Sequence, residues 1–207
     1  MVASQRLAPV PWLTLALVSG ALVAHWVPGG TNALVYDRPA IAAGELWRLL
    51  TAHWVHFSYS HLLSNLAVLV ATGWLIEARG RRDPVGLYAL AASSIGITLF
   101  VAQPDLRIFG GGSGVAYAFV TYLGLRGLRD AGRWRWLCVA LLAVVGAKLL
   151  AEQVWGWSVV ARDPDASFVT VPLSHAAGVA AGTSLWLWRL LAGDSLPRDD
   201  DSACRQA

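Results

Sequence analysis

Long apolar runs alternate with short polar segments along this chain, near 9–27, 60–77, 84–103, 112–128, 134–154 and 169–191. A hydrocarbon core about 30 Å thick takes roughly 20 helical residues, so each run is predicted to be a transmembrane helix. Tryptophan marks their edges. Trp12 and Trp26 bracket the first, Trp74 closes the second, Trp134 and Trp136 open the fifth, Trp155 and Trp157 close it, and Trp186 and Trp188 end the sixth, as an interfacial aromatic belt requires. The expected architecture is an all-α polytopic membrane protein with one helical domain over 1–193 and a polar tail over 194–207. The connection 28–59 is expected to be a single loop.

Composition agrees, with 56% hydrophobic residues against 14% charged. Arg6 ahead of a run ending in Ala21-Leu22-Val23-Ala24 imitates a signal peptide. Retaining that helix gives an even number of spans and both termini on one side. The arginines fix the side: Arg79, Arg81 and Arg82 follow the second span and Arg126, Arg129, Arg133 and Arg135 the fourth, whereas the alternate loops hold only Arg38, Arg48, Arg107 and Arg162. Both termini are therefore expected in the cytoplasm. The basic pI of about 9.2 follows from this bias, and without an aromatic-interleaved basic patch it implies no nucleic acid. Cys138 and Cys204 both fall toward the reducing side, where no disulfide is expected.

In this topology the even-numbered spans enter from outside, so His61, Asn65, Ser113 and His175 share a depth toward the outer face. Polar groups there are costly and face a cavity or one another. Gly112 and Gly114 flank Ser113 at the mouth of a helix, where amides lack intrahelical acceptors and could form part of an oxyanion hole. An isolated Gly-Ser-Gly is also a common close-packing motif. A serine hydroxyl needs a base, and a partly buried imidazole such as His175 is the ordinary one near neutral pH. His61 and Asn65, four apart on one helix face, can both donate toward a common point. No carboxylate is placed by the sequence to complete a triad, so a Ser113/His175 dyad is expected, its imidazole oriented by packing on Tyr117.

These residues resemble the rhomboid intramembrane serine proteases. Glu45-Leu46-Trp47-Arg48 looks like the family's Trp-Arg loop signature, His56 through His61 to Asn65 like its second-helix motif, Gly111 to Tyr117 like its nucleophile helix, and His175-Ala176-Ala177-Gly178 like its His-x-x-Gly. The resemblance implies a six-transmembrane-helix rhomboid fold, Ser113 as nucleophile, His175 as general base and acid, and His61, Asn65 and the Ser113 amide as oxyanion stabilisers. It implies no cofactor. Within the family, the small size and Lys148-Leu149-Leu150-Ala151-Glu152-Gln153 are similar to the rhombosortases. That likeness implies a bacterial inner membrane, a site opening to the periplasm, and membrane-anchored clients with a C-terminal Gly-Gly signal. Lys148, the only lysine, lies inside a span, where an unpaired charge costs about 2.5–3.5 kcal/mol. Glu152 one turn on can offset it, and the pair serves either structure or substrate recognition.

Rival readings are weaker. His53, His56 and His61 invite a metal, but no carboxylate or cysteine is suitably placed to finish a site, and the first two read as supports for the loop. His25 beside Trp26 reads as interfacial. Gly178 and Gly182 read as close-packing positions that bring the sixth span onto the fourth. The principal alternative is an inactive rhomboid-like protein that binds client helices, although such proteins usually lack the serine or histidine. A transporter would show an inverted repeat.

Overall fold

A computed structural model describes residues 10–79, 83–155 and 171–193. The chain folds as helices α1 Trp12–Trp26, α2 Gly30–Leu34, α3 Arg38–Ala42, α4 Arg48–Thr51, α5 Tyr59–Ala78, α6 Asp83–Ala102, α7 Ser113–Gly127, α8 Gly132–Trp155 and α9 Pro172–Leu191, with two short strands, β1 Tyr36–Asp37 and β2 Ile108–Phe109. Each apolar stretch read from the sequence overlaps one of the long helices. Within them, Tyr59–Ala78, Pro84–Ala102 and Gly132–Val154 are long and apolar enough to cross a membrane, and α1 is a shorter apolar helix. The 155–168 loop beyond Trp155, the 194–207 tail, Arg81, Arg82, Arg162 and Cys204 lie outside the described residues.

Helix α7 is the axle of the bundle. All but two of its residues are buried, because α5, α6, α8 and α9 all pack on it. At 15 residues it rises about 22 Å, short of the hydrocarbon thickness, and its neighbours rather than lipid satisfy its sides. Small residues let α9 close on it. A Cβ on Gly182 would sit 2.5 Å from the Ala118 carbonyl oxygen, one on Gly114 would sit 2.7 Å from that of Ser174, and one on Gly178 would overlap the Gly114 carbonyl. Such backbone contact is how small residues associate helices where no hydrophobic drive separates them from lipid.

The connection 28–59 is not one loop, which corrects the sequence reading. It holds three short helices, a 3₁₀ turn over Ala52–Trp54, and β1, which pairs antiparallel with β2 through Tyr36 to Phe109 and Asp37 to Ile108. Local chemistry explains this. The Asp37 carboxylate accepts from the Ala40 amide at 3.2 Å, capping α3, whose Pro39 lies in the first turn. Arg48 donates to Glu45 at 2.7 Å and to the carbonyls of Asn32 and Val35 at 2.9 and 2.8 Å, stapling the whole connection through one guanidinium.

At the opposite end of α5, Glu77 stands in for the side-chain cap that α1 lacks. Its carboxylate accepts from the Leu13 and Thr14 amides at 3.1 and 2.7 Å, satisfying two of the free N–H groups at the helix start with a favourable charge.

Candidate active site

Three helices begin and one ends at the same end of the bundle. The first turns of α5, α7 and α9 and the last turns of α8 bring His61, Asn65, Ser113, Lys148 and His175 around one cavity of about 260 Å³, lined otherwise by Ser64, Tyr117 and apolar side chains such as Val68, Val120 and Val144. Ser113 is the first residue of α7. It follows Gly111, whose φ of 152° and whose approach to His61, 2.9 Å from a Cβ to Cε1, leave no room for a side chain. Pro172 opens α9 one turn before His175, where its missing N–H costs nothing.

The Ser113 hydroxyl lies 2.9 Å from His175 Nε2. The Tyr117 ring stacks on the imidazole with centroids 4.5 Å apart and planes 14° apart. Behind His175 stands a carboxylate: Nδ1 lies 2.6 Å from Glu152 Oε2, and the glutamate is only 2% exposed. The expectation that no carboxylate reaches His175 is therefore corrected. The sequence gives no rule for how far α8 and α9 turn toward each other, and the interhelical contact appears only in three dimensions. Lys148 pairs with the other carboxylate oxygen, and the Tyr117 hydroxyl approaches it at 3.5 Å.

On the other flank, His56 and Asn65 are coupled. Asn65 Nδ2 donates to His56 Nε2 at 3.0 Å, and the Gly112 amide donates to the same nitrogen at 3.3 Å. With two donors on Nε2, the ring proton belongs on Nδ1, 3.1 Å from the Trp54 carbonyl. Burial, aided by the nearby His61, pushes the His56 pKa down to about 3, in keeping with a ring that must accept at Nε2. His53 bridges the Gly111 and Ala92 carbonyls at 3.2 Å each; burial lowers its pKa, and those carbonyls oppose the shift. On His56, both ring nitrogens that a metal would need are engaged by protein partners. His25 packs edge-on against the Trp26 and Tyr59 rings, away from the cavity.

The structure thus gathers Ser113, His175, His61, Asn65, Tyr117 and Lys148 at one place, with Gly112 against His53 and His56 and Gly114 against Ser174 and Ile95. Two contributions were missed by sequence reasoning: Glu152 as a partner of His175, and His56 as a partner of Asn65. Neither left a signal in the sequence: a carboxylate one turn after a lysine already has a local partner, and a histidine nine residues ahead of an asparagine fits no spacing rule.

A family profile described as the rhomboid domain matches residues 43–191. The chain is similar to the rhomboid protease GlpG of Salmonella paratyphi A (strain ATCC 9150 / SARB42) and to that of Salmonella typhi, each 30% identical over 131 residues, covering 61% of this chain and 46% of the relative. The rhomboid protease GlpG of Salmonella newport (strain SL254) matches to the same extent. The chain spans less than half the length of these curated relatives.

Proposed function

This chain belongs to the rhomboid family, and from that premise we propose that it is an intramembrane serine endopeptidase with Ser113 as nucleophile and His175 as general base. The observation that carries the reading is the 2.9 Å contact between the Ser113 hydroxyl and His175 Nε2, which is the geometry a serine needs to lose its proton as it attacks. His175 Nε2 takes the Ser113 proton while Oγ bonds to the scissile carbonyl carbon. The oxygen becomes an oxyanion that His61, Asn65 and the Ser113 amide stabilise. Collapse breaks the C–N bond, and His175 returns the proton to the departing amine. Water then repeats the sequence on the acyl-enzyme.

The apolar walls of the cavity and its position between α5, α7 and α8 suit an extended segment from a membrane-anchored protein. We assign the chain to the rhombosortase-like members, acting in a bacterial inner membrane with six spans, cytoplasmic termini and a periplasmic site. Its clients would be cut near a C-terminal Gly-Gly beside their membrane helix. Glycines destabilise a helix by about 1 kcal/mol each relative to alanine, so such a client offers extended backbone where the cavity opens. Lys148 lines that cavity, which supports assigning it to contact the client.

The test is a fluorophosphonate reaction on the full chain in liposomes. Labelling of wild type and none of Ser113→Ala is the expected result; absence of labelling in wild type would favour the inactive, client-binding alternative. Co-expression with a Gly-Gly client and with a generic rhomboid substrate separates the subtype from the family, since cleavage of the generic substrate alone would remove the rhombosortase assignment.

A further inference from the structure

We propose that Glu152 completes a Ser113–His175–Glu152 triad, fixing the tautomer and orientation of the base while Lys148 holds the carboxylate's far oxygen. The inference rests on the peptidase reading above and extends it beyond a serine–histidine pair. Near the site α8 has an outward face, where Leu150 and Val154 are each 66% exposed, yet Glu152 between them in sequence is 2% exposed. An ion pair with Lys148 alone does not require this. A pair four residues apart on a helix forms as well at an outer face, and near a helix end both side chains could reach the interface.

The two carboxylate oxygens are divided between partners. Oε1 takes the Lys148 ammonium and faces the Tyr117 hydroxyl, whereas Oε2 lies 2.6 Å from His175 Nδ1. An ionised carboxylate only accepts, so Nδ1 carries the ring proton and Nε2 presents its lone pair to the Ser113 hydroxyl at 2.9 Å. Without that acceptor the imidazole is free to adopt the Nε2–H tautomer, which can donate to Ser113 but cannot deprotonate it. During attack the proton passes from Oγ to Nε2 and no further. Glu152 keeps its charge and faces the imidazolium, then the same proton leaves with the amine. Glu152 is in this sense a positioning residue, like the aspartate of soluble serine proteases, whose replacement by asparagine lowers turnover about 10⁴-fold through the wrong tautomer.

The substitution Glu152→Gln sharpens the test. With Lys148 bound to the amide oxygen, the NH₂ replaces Oε2 and donates to Nδ1, which forces the proton onto Nε2. We expect wild-type protein in nanodiscs to show the Nδ1–H tautomer at His175 by ¹⁵N NMR, assigned against His175→Gln, and Glu152→Gln to show Nε2–H. Fluorophosphonate labelling and kcat should fall about 10²–10⁴-fold with KM little changed. Because removing one member of a buried pair can unfold the chain, the double variant Glu152→Met with Lys148→Met, which leaves neither an unpaired charge nor an acceptor at Nδ1, serves as a second probe. Since Lys148 is also assigned to the client, the readout is the small fluorophosphonate: a triad keeps labelling slow in the folded double variant, while a purely structural pair leaves labelling as in wild type. Wild-type labelling in either variant, or an Nε2–H tautomer in the wild type, would overturn the proposal. Failure of wild-type protein to label with Nδ1–H in place would sink the peptidase reading and leave the contact standing.

Discussion

Asn65 reaches back nine residues to donate to His56 Nε2 at 3.0 Å, and the amide of Gly112, next to the candidate nucleophile, donates to the same nitrogen. One neutral imidazole therefore links the proposed oxyanion donor of α5 to the start of α7. Replacing Asn65 by alanine removes one donor and should lower kcat about 10²–10³-fold. His56→Phe keeps an aromatic ring but no acceptor, and should lower kcat as well while both of its former donors lose their partner. Steady-state kinetics of the two single variants and the double variant check this: strong non-additivity is expected, and simple multiplication of the two losses would show that His56 and Asn65 act separately.

The same ring predicts a pH dependence of stability. His56 has its folded pKa depressed to about 3 from an unfolded value near 6.5. Between those values the unfolded chain binds the proton and the folded one does not. Stability is therefore fully present above about pH 6.5 and declines as the pH falls toward 3, by at most about 1.4 kcal/mol per pH unit for this group. Thermal melts in detergent from pH 7 to pH 4 should show the decline. His56→Gln should flatten it, and an unchanged slope in that variant would assign the effect elsewhere.

Ser113→Ala and His175→Ala should each abolish cleavage with the protein still folded, and the double variant should be no worse than either, since nucleophile and base act as one unit. Cleavage assays beside melting curves decide this. Activity retained by Ser113→Ala would refute the mechanism.

Helix contact yields a steric prediction. A methyl at position 178 would overlap the Gly114 carbonyl, so Gly178→Ala should part α9 from α7, lower the melting temperature and reduce activity by spoiling the Ser113–His175 distance. Gly86, in α6, has no atom within 4 Å of its missing Cβ. Gly86→Ala should be neutral or stabilising by up to about 1 kcal/mol through helix propensity. Equal damage from both would remove the packing explanation.

Much of the helical plan was legible because long apolar runs leave the backbone few alternatives in lipid. The edges of α5 and α6 fall within about two residues of the sequence reading, at the usual precision for helix ends. The 28–59 connection was not legible, since its short helices are held by single contacts such as Arg48 to Val35 rather than by any periodic pattern. In the site, Ser113, His61 and Asn65 announced themselves by polarity at helix starts. Glu152 did not, because a carboxylate four residues after a lysine already has a sufficient local partner, and only the packing of α8 beside α9 shows that its second oxygen is taken by His175.

The enclosure of α7 bears on how the protein is made. Ser113 leaves the ribosome in the fourth of the long helices and His175 in the sixth, after Glu152 in the fifth. A nascent chain thus carries its proposed nucleophile through synthesis without the proposed base. The face of α7 at Gly114 and Ala118 takes the backbone of α9 at Gly178 and Gly182, and that docking both completes the burial of the helix and brings His175 to the serine. On the proposed mechanism, assembly of the bundle and arming of the site are one event, and a chain stalled before α9 lacks the base.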